Sequence, residues 1–518
     1  MKELRELLLA STDIQEIPIS QGRLMKLETL SARGCTELAQ FPESMGSLVS
    51  LTQLGLSHSA IEKLPESMGS LELKILNASY CKSLAHIPNS IGHLPSLSVL
   101  DLRECNNLAQ LPISIGSLTS LTRLHLARTA IVELPEGIVN LQNLRFLDIN
   151  GTGITELPRN IGELISLNSL QLDGTDILSL PESISKLSSL QLLSLRNCKK
   201  LQEVRELPSG LTSLRITCQS PPSPHLSQLT LLNYLTLSDC NWLECLPELP
   251  VGLSFLRITD CGKLKALTNL SSLKRLSYLI LENCLELTEV TGLEGLQSLS
   301  KLQVRRCPKI YRLGLDGSES SQTLDISECT SAGRSQGLSI LRNLRVLSVT
   351  ECTNLIEICG LDGLESLVNL DISGCTSLRQ SPDLSNLKKL LIFKAENCEN
   401  LTLYGFYAIN CNNLVEIRGL DSLTSLGDLD ISGCTSLRKS LDLSNLKGLR
   451  AFRAANCENL KLRIFQVANC ENLVEIHGLD RVLREICAAN RDNLVEISNL
   501  HRLKSSENLN ISRFMSFV

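Results

Sequence analysis

Apolar residues keep one frame from end to end of this chain. The frame is L-x-x-L-x-L-x-x-(C/T), as in Leu97, Leu100, Leu102 and Cys105, then Leu121, Leu124, Leu126 and Thr129. Leu144, Leu147, Ile149 and Thr152 repeat it, and Leu167, Leu170, Leu172 and Thr175 follow. Units open at residues 4, 27, 51, 73, 97, 121, 144, 167, 190, 211, 232, 253, 276, 299, 321, 344, 367, 390, 403, 426, 449, 462 and 483. That makes 23 units, mostly 22 to 24 residues apart, with a worn 24th at Leu509 and Ile511. A step so constant marks one packing unit stacked many times. The Leu pair at positions 4 and 6 alternates with period two, which predicts a short strand with one buried face. Successive units then lay parallel strands side by side, and the rest of each unit returns the chain along the other side. In the first half the return contains L-P-x-x-I-G-x-L, as at Leu111 to Leu118, where Pro112 marks a turn and blocks a long helix. A lone unit cannot bury its Leu face, but stacked units do, each buried Leu contributing roughly 1.5–3 kcal/mol. The expected fold is α/β. It is a curved, horseshoe-like solenoid with a parallel sheet on the concave face and loops and short helices on the convex face. At about 4.7–4.9 Å per strand the inner arc is on the order of 110 Å.

Position 9 holds 16 of the 20 cysteines, with Thr12, Ser59, Thr129, Thr152 and Thr175 in the same column. Thr and Ser cannot form disulfides, so the shared requirement is a small side chain with a donor hydrogen for the carbonyls of the bend. A disulfide or metal role lacks paired ligand spacing, which leaves buried structural thiols as the expectation. The units fall into three stretches and a tail. Residues 1–200 are regular, 201–270 contain short 21-residue units, and 271–512 are irregular; residues 513–518 are the tail. Residues 371–379, Asp-Ile-Ser-Gly-Cys-Thr-Ser-Leu-Arg, recur at 430–438, a duplication offset by 59 residues. Each copy contains a 13-residue step, at 390–403 and 449–462, too short for a strand and a full return. The sequence leaves two explanations open there, a kink or an error in the gene model. The Pro-rich run from Gln219 to Pro224 is expected to be a loop replacing one bend, with an interdomain hinge as the alternative.

Composition narrows the function. Net charge is -5, from 50 Lys and Arg against 55 Asp and Glu, without a basic run or an acidic tail. That gives no support for nucleic-acid or membrane-surface partners. No run approaches the ~18 apolar residues of a transmembrane helix. Residues 1–10 are not a signal peptide, since their apolar stretch is only four residues and Glu3 and Glu6 sit where a signal would be basic or apolar. A cytoplasmic or nuclear location, with reduced thiols, is expected. There is no G-x-x-x-x-G-K-[ST], H-E-x-x-H or G-x-S-x-G, and the seven histidines have no partner pattern. The expectation is no enzyme, no cofactor and no metal, because catalysis needs converging groups that the repeat does not supply. What remains is the face of the sheet. Arg123, Phe146, Asp148, Arg215, Tyr234, Phe255, Arg257, Tyr278 and Arg305 are the candidate protein contacts, with His125, Asp371 and Asp430 beside them. Tyr, Phe and Arg are frequent anchors at protein interfaces, although some are expected to pack only on neighbouring rungs.

Units such as Leu121-Thr-Arg-Leu-His-Leu-Ala-Arg-Thr-Ala-Ile-Val-Glu-Leu-Pro135 resemble the leucine-rich-repeat region of plant intracellular immune receptors. The nearest resemblance is to the TIR–nucleotide-binding–LRR class of disease-resistance proteins. The Asp-Ile-Ser-Gly-Cys-Thr-Ser-Leu and Gly-Leu-x-x-Leu units are similar to the flax-rust-resistance branch. Together the resemblance spans residues 1–512, and the G-x-I-P and Asn ladder of extracellular plant repeats are missing. It implies recognition of a pathogen effector, directly or through a modified host protein, and restraint of an adjacent nucleotide-binding domain that this chain lacks. Without a TIR domain or P-loop, nucleotide binding and NAD cleavage are not carried over. The chain opens inside a unit at Leu4 without a polar cap, which solenoid ends need, so a fragment, a truncated gene or a product split from a receptor is expected. The rival readings are a stand-alone intracellular signalling scaffold, similar to plant Ras-group repeat proteins, and a receptor remnant without function.

Overall fold

The computed structural model describes residues 3–457 except 18, 20–23, 203, 205, 218–225, 316–319, 330–333, 336–337, 379–383, 385, 399–404, 419–425, 438–445, 447–448 and 455–456. After 457 it describes only the backbone of 465–466, 475–477, 485–487, 496–497 and 508–510. The Pro-rich run at 219–224 lies outside these residues. The chain forms two compact units, Met1–Leu243 with Pro247–Leu253, and Glu244–Leu246 with Ser254–Val518.

In the first unit each frame makes one strand, from Glu6–Leu8 through Val99–Asp101, Arg123–His125 and Phe146–Asp148 to Tyr234–Ser238. All pairings are parallel and keep the frame in register, so Leu100 sits beside Leu124 and Leu124 beside Leu147. Frame positions 1, 4, 6 and 9 point inward; Leu97, Leu100, Leu102 and Cys105 have no exposed surface. The returns form the expected loops and short helices, the latter of 3-10 type, such as Ile113–Ser117 and Glu136–Asn140. Pro112 opens one of them with φ -67°, and the Ile115 amide donates to its carbonyl at 3.0 Å. Adjacent turns stack closely at the glycine of I-G or M-G. A Cβ on Gly69 would stand 2.6 Å from the Ser90 carbonyl oxygen.

A sharp corner follows each strand. Every described residue at position 8, from Ser11 to Gly433, is left-handed, with φ between 51° and 78°. Among the described residues, all fourteen non-glycine residues with positive φ occupy this one position, so the left-handed strain is confined to it. Each costs roughly 1–2 kcal/mol relative to a right-handed residue. In return the position 8 amide stays in the ladder, as Glu104 N–H donates to Ala127 O at 2.8 Å and Arg128 N–H to Asn150 O at 2.7 Å. Position 9 closes the corner. In the regular repeats from Cys35 to Thr175 its amide donates to the position 6 carbonyl of its own unit, Cys105 to Leu102 at 3.3 Å. Its side chain does one of two things. Threonine bonds locally, Thr129 Oγ1 to Leu126 O at 2.9 Å. Cysteine reaches back one unit, Cys105 Sγ to Ala78 O at 3.1 Å and Cys375 Sγ to Val349 O at 2.9 Å. The described ladder cysteines are buried free thiols.

The second unit begins with a parallel ladder of the same kind, from Phe255–Thr259 to Ile392–Lys394. Behind it, Ala266–Leu267, Glu289–Val290 and Arg312–Leu313 form a small parallel sheet in the returns. The 13-residue step is then a half turn. Ile392–Lys394 pairs not with Gly405–Tyr407 but with Glu416–Arg418, one full turn later. Gly405–Tyr407 opens a separate sheet with Asp428–Asp430, and the Leu384 amide donates to the Tyr407 carbonyl. Phe393 and Phe406, thirteen residues apart, meet inside with ring centroids 5.2 Å apart. The Cys411 thiol accordingly bonds the Leu384 carbonyl at 3.1 Å, across the switched column. Ala451–Arg453 likewise skips to Glu475–His477, while Phe465–Gln466 starts another sheet. The step therefore packs as a regular half period, which supplies the kink reading with a geometry; Leu403 and Leu462 themselves lie outside the described residues.

Two outcomes follow from this packing. Gly69→Ala is expected to cost about 1–3 kcal/mol by overpacking, read as faster amide exchange of the 66–70 and 89–93 turns, whereas Gly262→Ala, which meets nothing within 4 Å, leaves exchange unchanged. Burial pushes the Cys105 and Cys329 thiols from 9.0 up to about 12, and Cys398 to about 11. The folded state thus holds these protons more tightly than the unfolded chain. Their contribution is fully present below pH 9.0 and is lost as pH rises through 11 to 12. At about pH 11 each of the first two thiols withdraws about 2–3 kcal/mol. Replacing Cys105, Cys329 and Cys398 with Thr should flatten the fall in melting temperature above pH 9.0; an unchanged alkaline profile would contradict this.

Candidate protein-binding surface

Positions 3, 5 and 7 of each frame face out of the sheet, because 4 and 6 face in. In the first unit, position 3 runs Arg123, Phe146, Ser169, Leu192, Ser213 and Tyr234, each beside the next. Position 5 runs His125, Asp148, Gln171, Ser194 and Arg215 over the same strands. The structure thus gathers Arg123, His125, Phe146 and Asp148 into one patch, and Arg215 with Tyr234 into a second, about four strand spacings or ~19 Å along the sheet.

Arg123 is exposed. Phe146 is half-buried and packs its ring on His125, with centroids 4.7 Å apart. Asp148 is buried and turned toward its own chain, accepting from the Asn150 amide at 3.1 Å, with His125 Nδ1 3.8 Å from its other oxygen. Asp371 and Asp430 accept from Ser373 and Ser432 amides in the same way. An acid at position 5 therefore caps the end of its own strand, a structural task that the sequence reading did not give it. Arg215 lies over the Tyr234 ring at 5.2 Å, a cation–π arrangement, and its buried Nε has no hydrogen-bond partner.

In the second unit Phe255 and Tyr278 are neighbours in column 3, with ring centroids 6.0 Å apart, and Tyr278 is 45% exposed. Arg257 donates to Glu282 at 2.9 Å across the exposed face. Arg305 donates through Nε to the buried Asp325 at 2.8 Å, which holds the guanidinium above its ordinary range. Arg305 therefore anchors the sheet at least as much as it offers itself to a partner.

Two features were missed. Position 7 carries a polar network in which Asp173 accepts from Ser194 Oγ, from the Arg196 amide at 2.8 Å and from Arg196 Nε at 3.0 Å. Position 2, at the start of each strand, contributes Arg145, Asn168 and Gln191 to a groove of about 800 Å³ along the sheet edge. Both recur at a fixed offset from the buried leucines, and that offset was the available clue. Among the described residues no three metal-ligating side chains converge, and no helix is long and apolar enough to cross a membrane.

Residues 99–221 match the family described as Leucine-rich repeat region. The fold is a leucine-rich-repeat solenoid. Over 93 residues the chain is 34% identical to the Arabidopsis thaliana protein SUPPRESSOR OF npr1-1, CONSTITUTIVE 1, and over 106 residues 33% identical to Receptor-like protein 6 of the same plant. The matches take in 18% and 19% of this chain but only 6% and 10% of those proteins. Among solved structures it is similar to the Arabidopsis receptor kinase HAESA, with TM-score 0.44 and 18% identity, covering 94% of this chain and 84% of that one.

The ion pairs on the leucine-rich-repeat sheet are separable by mutation. Arg305→Ala leaves the Asp325 carboxylate buried and unpaired and is expected to cost about 1–2 kcal/mol, while Arg257→Ala, whose pair is solvated, costs less than about 1 kcal/mol. Urea unfolding followed by circular dichroism distinguishes them; equal losses would refute the structural role of Arg305.

Proposed function

We propose that this chain is the protein-binding repeat module of a plant intracellular immune receptor, or of a piece of one, that recognises a pathogen effector or the host protein an effector alters. A protein-binding role is supported above all by Tyr278, a large aromatic left half-exposed on a rigid sheet face beside Phe255. A monomeric surface has no use for such a ring there, whereas partner-facing hot spots are rich in Tyr, Trp and Arg. The immune assignment rests on the Asp-Ile-Ser-Gly-Cys-Thr-Ser-Leu units at 371 and 430 and their likeness to disease-resistance proteins. The role is non-catalytic and cytoplasmic, and a nucleotide-binding domain outside this sequence is the second partner.

The test is proximity cross-linking of the full chain expressed in leaves, with and without pathogen. A partner that appears only on infection and loses at least tenfold in recovery with Tyr278→Ala is the expected result. Identical partners in both conditions would sink the immune reading and favour a constitutive scaffold. A Tyr278→Ala variant that captures as well as the wild type would remove Tyr278 from the contact surface.

A further inference from the structure

The groove at the strand starts of the first unit has a chemistry that the protein-binding reading does not specify. It crosses the units opening at 121, 144, 167 and 190, so it is about three strand spacings or ~14 Å long, the reach of about four residues of extended peptide. Arg123 and Arg145 line it from adjacent units, both exposed. Neither guanidinium has an ion pair or hydrogen bond among the described residues, unlike Arg103, Arg196, Arg257 and Arg305 on the same sheets. No carboxylate lines the groove; the other polar walls are hydroxyls and amides, among them Asn168 and Gln191. Ser169 in its floor is 9% exposed, and its buried Oγ has no hydrogen-bond partner. Phe146 adds one half-buried ring. Two unneutralised cations, an orphan buried hydroxyl and one apolar wall make a cradle whose missing element is negative charge.

We propose that this groove binds a short, extended, acidic segment of a protein partner, with carboxylates on Arg123 and Arg145 and an apolar side chain against Phe146. The site deepens the protein-binding reading and rests on it. A smaller groove of about 410 Å³ at the equivalent positions of the second unit, with Arg345 and Lys389 and again no carboxylate, has the same character.

The experiment uses the full chain and a fluorescein-labelled, amidated Glu-Glu-Phe-Glu-Glu peptide, with Gln-Gln-Phe-Gln-Gln as its neutral twin, followed by fluorescence anisotropy. The acidic peptide should bind at least tenfold more tightly than the neutral one, and less tightly as salt is raised. The double variant Arg123→Gln/Arg145→Gln should lose at least tenfold, while Arg159→Gln/Lys186→Gln, the same loss of two positive charges on the return side, stays within twofold. Ser169→Ala should weaken binding without lowering the melting temperature, which a merely structural hydroxyl would not do. Equal affinity for the two peptides, no binding by the folded chain, or wild-type binding by the double variant would each overturn the proposal. Cross-linked partners retained by the double variant would discard the groove while leaving the protein-binding module intact; a wild-type chain that captures no partner but binds the acidic peptide would do the reverse.

Discussion

The carbonyl at position 6 of each repeat is where the solenoid closes. In the regular repeats it accepts the amide of position 9 in its own unit, as Leu102 does from Cys105, and where the next unit carries cysteine it accepts a thiol, as Ala78 does from Cys105 and Val349 from Cys375. Both bonds exist only if the chain turns sharply after position 7, and the turn is bought with a left-handed residue at position 8. Because the strain recurs once per unit, the hydrophobic stack must repay it each time. It does so with three or four fully buried leucines per repeat, each contributing roughly 1.5–3 kcal/mol against a corner cost of roughly 1–2. Aromatic residues are scarce because nothing larger than Leu is needed to fill a layer one strand spacing thick. Where Phe is fully buried among the described residues, at 393, 406 and 452, it sits in the region of the half-turn steps.

Threonine and cysteine share the ninth column but distribute their hydrogen bonds differently. Threonine satisfies its own corner, whereas cysteine ties one unit to the one before it. The first unit mixes the two. The second uses cysteine at each described corner, where the returns are irregular and 3-10 stacking is sparse. A thiol bond is weak individually, but it joins neighbouring repeats, the interface on which a quasi-one-dimensional fold depends.

The buried frame was legible because a period of two and a fixed step leave no other arrangement for Leu100, Leu124 and Leu147. The left-handed corner was not. Only Gly34, Gly151, Gly174, Gly374 and Gly433 betray it in the described residues, and Glu, Arg, Asn and Tyr occupy it elsewhere. The half turns were hidden for the same reason that the repeats were visible, since Phe406 and Phe393 satisfy the same frame while belonging to different sheets. On the surface, the outward alternation placed Arg123 beside Phe146 and Phe255 beside Tyr278, but it could not tell a free arginine from a paired one. Arg123 and Arg305 look alike in sequence; the difference lies in Asp325, one unit further on and folded against Arg305. Position 2 was overlooked because its side chains flank the strand instead of alternating within it.

The half step also sets a rule of parity for the duplicated segment. Fifty-nine residues are two steps of 23 and one of 13, so each copy carries the frame through two and a half periods. A single copy would leave every later unit displaying its variable positions on the opposite side of the solenoid. By the same arithmetic two copies make five whole periods and cancel the shift. Copy number in this stretch, odd or even, thus decides which surface the repeats beyond it present, a change in display that requires no substitution at all.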